Sequence, residues 1–358
     1  MRAIVFDGAK ASVADGVEVK DPGPGEVKVQ VTNAGLCHSD VSVLDGTIPW
    51  PSPSVLGHEG AGIVAEVGPG VSSVKPGQHV VLSTLANCGI CKACNTGHPT
   101  WCRKSLGNMS QPFTVDGEPA WNFAGSSYFS EYTVVQEVQA IRIPDDVPLS
   151  SACLIGCGVL TGAGAALNRA KIQQGEPVAV FGVGGVGLNA IQGARIAGAG
   201  RIIAVDTVAA KEPHARTFGA TDFVDASGDT DVVQAIKDLT RSGVMWAFDC
   251  VGHPAVLRNA VDVLDWGGNA VIIGMPPPTV EASFNITNLN YIDRGILGCR
   301  YGSSRPRSDV PMLVELYRSG RLLLDELVSE QYPLDRFEAV VEDLHAGKLA
   351  RGVLNVSE

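Results

Sequence analysis

The sequence has no run of lysine or arginine. Its 27 basic residues are outnumbered by 38 acidic ones, and the net charge at pH 7 is −11. Neutralising a phosphate backbone requires a basic surface, so nucleic acid is excluded as a partner. Nor does the start of the sequence predict a secretion leader. Acids come early, and only Ala3 to Phe6 form an apolar run. A signal peptide needs a basic start and roughly 7–15 apolar residues. A cytoplasmic chain with no membrane partner is expected. Two uncharged stretches, 147–168 and 177–194, are broken by Gly, Pro, Ser or Asn, which makes them buried core. The sequence shows no internal repeat, low-complexity tail or charged linker.

Cysteine, by contrast, is concentrated. The stretch CGICKACNTGHPTWC places Cys88, Cys91, Cys94 and Cys102 on one loop. In a reducing compartment disulfides are rare, and clustered thiols more often hold metal. Gly89 and Gly97 supply turns, and four thiolates at about 2.3 Å complete a tetrahedral zinc site. Such a site is closed to water and structural. The commonest bacterial iron–sulfur run ends in Cys-Pro, whereas Arg103 follows Cys102. Zinc ribbons usually separate their cysteine pairs more widely. Zinc is the preferred reading, with an iron–sulfur cluster or free thiols as the alternatives.

A chain of 358 residues exceeds the usual single-core limit of about 250–300, so two domains are expected. Further possible ligands are scattered: Cys37 to Asp40 in GLCHSD, His58 and Glu59 in GHEGAGIVAEVG, and Cys157 in LIGCGVLTG. Two cysteines and a histidine form a known catalytic zinc set with an open fourth position. Each also has an ordinary explanation. A lone cysteine in an apolar stretch is usually core, and Ser39 or Asp40 serves as a helix cap. Asp40 would also suit the second ring nitrogen of His58. Spacing does not show that these residues converge.

The segment EPVAVFGVGGVGLNAIQGARIAGAGRIIAVD carries the clearest signal. An apolar strand at 178–181 runs into Gly182-x-Gly184-x-x-Gly187, followed by a helix at 188–197. A second strand at 201–205 ends at Asp206. This is the dinucleotide fingerprint in its required context, with the pyrophosphate on a helix N-terminus. Asp206 would take ribose hydroxyls and repel a 2′-phosphate, which favours NAD. Strands at 245–250 and 270–274 alternate with helices such as 231–240, as in a doubly wound parallel sheet. EVKVQVTNAG and GIVAEVG instead alternate at period two and predict an antiparallel, partly barrel-like lobe.

Together GLCHSD, GHEGAGIV, the four-cysteine lobe, LIGCGVLTG, FGVGGVG, VIIGMPP and GKLARGVL resemble the zinc-dependent alcohol dehydrogenases of the medium-chain dehydrogenase/reductase family. The resemblance runs from Ala3 to Val356. It implies an α/β fold: a GroES-like catalytic domain, 1–153 and 299–358, holding the zinc lobe 88–102, and a Rossmann NAD-binding domain, 154–298. It implies two zinc ions, with Cys37, His58 and Cys157 as catalytic ligands, Glu59 beside the metal, and the four lobe cysteines as structural ligands. Ser39 and Asp40 take proton-relay and ligand-orienting roles. For the cofactor it implies His38 and Arg351 near the pyrophosphate, and Gly182, Gly184, Gly185, Val186 and Gly187 in the phosphate loop. Thr161 and Val186 lie against the nicotinamide, and Asp206 with Lys211 at the ribose. Thr84, Phe123, Met275 and Pro277 line the substrate pocket. The chain departs from the family at Ser42, where several members end the proton relay in histidine. Arg300 stands near a pocket position that is often apolar.

The expected activity is therefore interconversion of an alcohol and an aldehyde with NAD. A small, partly polar Thr84 with an apolar outer wall favours a medium-chain or aromatic primary alcohol. GCGVLTGAGAALN and RTFGATDFVDA also resemble dehydrogenases acting on thiol adducts of formaldehyde, which is the alternative. A zinc- and NAD-binding protein without turnover is more remote, because the ligand set and Ser39 are intact. Family habit implies a homodimer or homotetramer.

Overall fold

The computed structural model describes residues 1–105 and 109–357. Along the strand Glu26–Gly35, Val27, Val29 and Val31 are buried while Lys28, Gln30 and Thr32 are half-exposed. That alternation is the mark of a sheet with one face on the core. The last three residues are buried without alternation, because Glu59–Val67 pairs on one side and Arg351–Asn355 on the other. The order of this seven-stranded sheet is Ala140–Arg142, His79–Leu82, Glu59–Val67, Glu26–Gly35, Arg351–Asn355, Val328–Pro333. Tyr132–Gln136 also pairs with Glu26–Gly35. All pairings are antiparallel except the last two strands of that order. A smaller six-stranded sheet completes this GroES-like unit.

The chain divides into two compact units, Met1–Gly158 with Arg305–Glu358, and Val159–Ser304. The second unit is a six-stranded parallel sheet. Its order is Asp222–Asp225, Arg201–Asp206, Pro177–Phe181, Val244–Asp249, Leu264–Ile272, Gly295–Gly298. Short β-branched and alanine-rich strands such as PVAVF and RIIAVD are buried on both faces by crossover helices. This is the Rossmann-type sheet. Its limits differ from the expected 154–298 for identifiable reasons. Gly156 packs on the Leu82 carbonyl, which keeps Cys157 with the first unit. Gly302 packs on the Leu160 carbonyl, which ties the turn Tyr301–Ser303 to the second.

The stretch 147–168 folds as the short helical pieces Leu149–Ala152, Cys153–Gly156 and Gly158–Gly164, running on into Ala165–Ala170. Ala152, Leu154, Ile155, Val159, Leu160 and Ala163 are buried. Among the described residues no single helix is long and apolar enough to cross a membrane. One strand differs from expectation: Leu264–Ile272 stops before Ile273 and Gly274. Their N–H groups both donate to the Asp249 carbonyl, which turns the chain away from the sheet.

Candidate active site

Cys37 caps the N-terminus of the short helix His38–Leu44 in extended backbone. Its N–H donates to Asp40 Oδ2 at 3.1 Å. The other oxygen of Asp40 accepts the Gly57 N–H at 3.2 Å and lies 3.0 Å from His58 Nδ1. One buried carboxylate thus locks two segments distant in sequence and leaves His58 Nε2 to face inward. Cys157 follows the turn Cys153–Gly156. The donor atoms of Cys37, His58, Glu59 and Cys157 lie within 4.8 Å of one another, and all four residues are buried.

The charges fit a cation. Both Glu59 carboxylate oxygens are buried without a hydrogen bond, and burial pushes the Glu59 carboxyl up to about 7. Its ion-pair partner is Arg351, at 3.5 Å and 3% exposed. Burial works against charge on His58, but the neighbouring Asp40 and Cys157 outweigh it and hold its pKa well above the usual value. The hydrogen bond between Cys37 and Cys157 lowers the first thiol and raises the second. Two thiols and a carboxylate crowded away from water are an arrangement that a divalent cation resolves. Cys37, His58 and Cys157 would hold it, with Glu59 beside them.

The second cluster fits zinc by a different measure. Zn–S bonds near 2.3 Å place tetrahedral sulfurs roughly 3.8 Å apart. Cys91 and Cys94 are 3.6 Å apart at sulfur, and Cys88 and Cys102 are 3.7 Å apart. A disulfide would need about 2.05 Å. All four sulfurs are mutually within 4.8 Å.

In the second unit, Gly182 has φ 88° and a Cβ on Gly187 would meet the Gly182 carbonyl at 1.8 Å. Only glycine allows that turn and that helix–strand approach. Around Gly184 there is open space at the N-terminus of the helix Gly185–Ala197, where a pyrophosphate fits. The helix starts earlier than expected because Gly185 and Gly187 are themselves helical. Asp206 lies 3.0 Å from Lys211 Nζ and also accepts the Val183 N–H at 2.7 Å. Gly162, next to Thr161 in the chain, packs on the Val186 carbonyl. The residues fit a dinucleotide.

Other expected residues fall into place unevenly. Ser39 is half-buried and His38 exposed. Arg351, expected at the pyrophosphate, is buried and forms an ion pair with Glu59. Phe123 meets His58 edge-on, with ring centroids 5.6 Å apart. The Thr84 hydroxyl is buried without a partner. Met275 is 78% exposed and Pro277 is exposed; both belong to the second unit, whereas Thr84 and Phe123 belong to the first. Arg300 holds its guanidinium over the Tyr301 ring at 5.4 Å. Trp50 escaped the sequence reading. It packs edge-on to Phe123 at 5.1 Å and extends the aromatic wall away from His58. Only its place between GLCHSD and GHEG could have flagged it.

Residues 185–319 match the family described as zinc-binding dehydrogenase, and 23–145 the alcohol dehydrogenase GroES-like domain. An S-(hydroxymethyl)glutathione dehydrogenase from Paracoccus denitrificans is 38% identical, over 98% of each chain. One from Photobacterium damsela subsp. piscicida is 41% identical, over 95% of each. Among solved structures, benzyl alcohol dehydrogenase from Acinetobacter calcoaceticus superposes with TM-score 0.94 at 34% identity, over 99% of each chain. With two zinc clusters and a dinucleotide site on the matching fold, the chain belongs to the zinc-containing medium-chain alcohol dehydrogenases and is an NAD-dependent enzyme of that family.

Proposed function

We propose that the enzyme oxidises the S-hydroxymethyl adduct that formaldehyde forms with a low-molecular-weight thiol, giving the S-formyl thioester and NADH. The single observation carrying this reading is the set of relatives above, 38% and 41% identical over nearly the whole chain and both acting on such an adduct. The residues alone put hydrocarbon alcohols first and the thiol adduct second; the relatives reverse that order.

In this reading, bound zinc supplies a Lewis acid and bound NAD the hydride acceptor. Ser39 Oγ takes the hydroxyl proton and hands it to water, since Ser42 is no base near pH 7. Asp40 keeps His58 in the tautomer that faces inward. Arg351 balances Glu59. Val186 and Thr161 hold the nicotinamide face, His38 the pyrophosphate, and Asp206 with Lys211 the ribose. Thr84, Phe123, Met275 and Pro277 contact the carrier, and Arg300 is the basic partner for its charged end. Bound NAD would accept the carbinol hydrogen as hydride while Ser39 would take the hydroxyl proton, so the overall reaction would balance as thioester, NADH and one proton. The enzyme works in the cytoplasm as a homo-oligomer. The exposed Ile286, Tyr291 and Trp266 and the outer edge of Gly295–Gly298, unpaired among the described residues, support that last reading.

A second reading, an aromatic primary alcohol, is favoured by the Phe123–Trp50 wall beside His58 and by the likeness to benzyl alcohol dehydrogenase. Initial NADH formation decides between them. The assay compares formaldehyde, with and without glutathione or another small thiol, with benzyl alcohol and hexanol. The thiol-adduct reading expects formaldehyde turnover that requires the thiol and exceeds benzyl alcohol. Thiol-independent rates with benzyl alcohol ahead would replace it with the second reading.

A further inference from the structure

Asp249 is fully buried at the end of the strand Val244–Asp249. That strand borders Pro177–Phe181 on the side opposite Arg201–Asp206. The loop after Pro177–Phe181 is the glycine-rich loop, so it lies between two strand-ending aspartates. Asp206 grips it by accepting the Val183 N–H. Asp249 Oδ1 accepts the N–H groups of Val251 and Gly252, both at 2.9 Å. Its carbonyl accepts those of Ile273 and Gly274, also at 2.9 Å. The turn so formed presses Val251 onto the fingerprint: a Cβ on Gly182 would meet Val251 Cγ2 at 2.7 Å. Gly252, at φ 81°, packs against Gly274. Three loops at the carboxyl edge of the sheet are thus tied to one residue. That edge is where α/β sheets bind their ligands. Val251 is 48% exposed there, an apolar side chain presented at that edge.

We infer that Asp249 is a second positioning residue for the dinucleotide: it fixes Val251 as one wall of the cofactor crevice and braces Gly182 from the side Asp206 does not reach. Only one oxygen does this. Asp249 Oδ2 is buried without a partner, so the negative charge is not what the loops require. The acceptor at Oδ1 is.

The role is therefore tested by separating shape from charge. NADH affinity is read by fluorescence titration of the zinc-loaded protein, alongside KM for NAD, kcat and zinc content. Asp249→Asn keeps the acceptor and binds NADH within about twofold of wild type. Asp249→Leu removes it and weakens NADH by roughly tenfold, the scale of one or two lost hydrogen bonds. KM for NAD rises while kcat and zinc content hold. Val251→Ala, at an exposed position that leaves folding intact, weakens NADH by about threefold through lost apolar contact. Equal losses in the Asn and Leu variants would overturn the inference, because charge would then be the active property. Unchanged NADH binding in Val251→Ala would overturn it even where the Leu variant fails to fold.

Discussion

Asp206 combines a proposed role with an observed one, and only the proposed one is legible in the sequence. Its place at the end of the second strand of the fingerprint predicts the ribose contact. Its bond to the Val183 N–H depends on the loop folding back, which no spacing reveals. Asp206→Asn should keep that bond and narrow the preference for NAD over NADP, by loss of repulsion alone. Asp206→Ala should lower kcat/KM with both cofactors, by about tenfold for the lost loop bond. A wild type already using NADP as well as NAD would remove Asp206 from its role. At the metal, Ser39→Ala should slow hydride transfer by roughly a hundredfold or more, while Ser42→Ala changes it little. A large loss in Ser42→Ala with unchanged zinc would show that the proton leaves by another route. The zinc ligands were legible because cysteine and histidine are rare and their flanking motifs distinctive. The ion pair of Arg351 was not legible because its partner Glu59 lies far away in sequence, and Trp50 was missed because an aromatic residue in a loop looks like any other.

Among the elements, the strands and the fingerprint helix were readable from period and glycine spacing, and the errors fell at their ends. The Leu264–Ile272 strand ends where a neighbouring carbonyl captures two N–H groups, an event local sequence does not encode. The Asp249 turn also has a pH signature. Burial raises the Asp249 carboxyl above its usual 3.8. The unfolded chain therefore releases this proton first, and stability falls as pH climbs from near 3.8 toward the raised folded value. Asp249→Asn should melt higher than wild type at pH 7, by roughly 2–4 °C per kcal/mol of penalty removed. The advantage should vanish in calorimetry at about pH 4 or below. An equal advantage at both pH values would mean that folding does not raise the Asp249 carboxyl and that the gain has another source. The thiol lobe behaves differently. It has few buried side chains of its own, so its shape depends on the metal. Cys88→Ser should cut bound zinc from about two to about one per chain and lower the melting temperature. Cys157→Ser should lose the other zinc and all activity with little change in melting. Equal melting in the two variants would contradict the division into structural and catalytic metal.

Over the whole molecule, the two-unit architecture followed from length and from the switch between period-two patterning and strand–helix alternation. What the sequence could not set was where each unit closes, because Gly156 and Gly302 take sides through packing against distant carbonyls. Elemental analysis of purified protein should give about two zinc ions per chain; a value near one after zinc-supplemented growth would sink the two-cluster account. The insertion of one unit inside the other also has a consequence for biosynthesis. The strand Arg351–Asn355 occupies an interior position between Glu26–Gly35 and Val328–Pro333, and Arg351 is the countercharge of Glu59. On the ribosome, Val159–Ser304 emerges complete and can fold while the first unit still has a vacancy in its sheet. Pairing Asn33 with Asn355 then closes a loop spanning nearly the whole chain, the kind of distant contact that folds slowly. A nascent chain can therefore grip the dinucleotide before its catalytic cluster is balanced, and a translation product halted short of Arg351 would bind cofactor without becoming an enzyme.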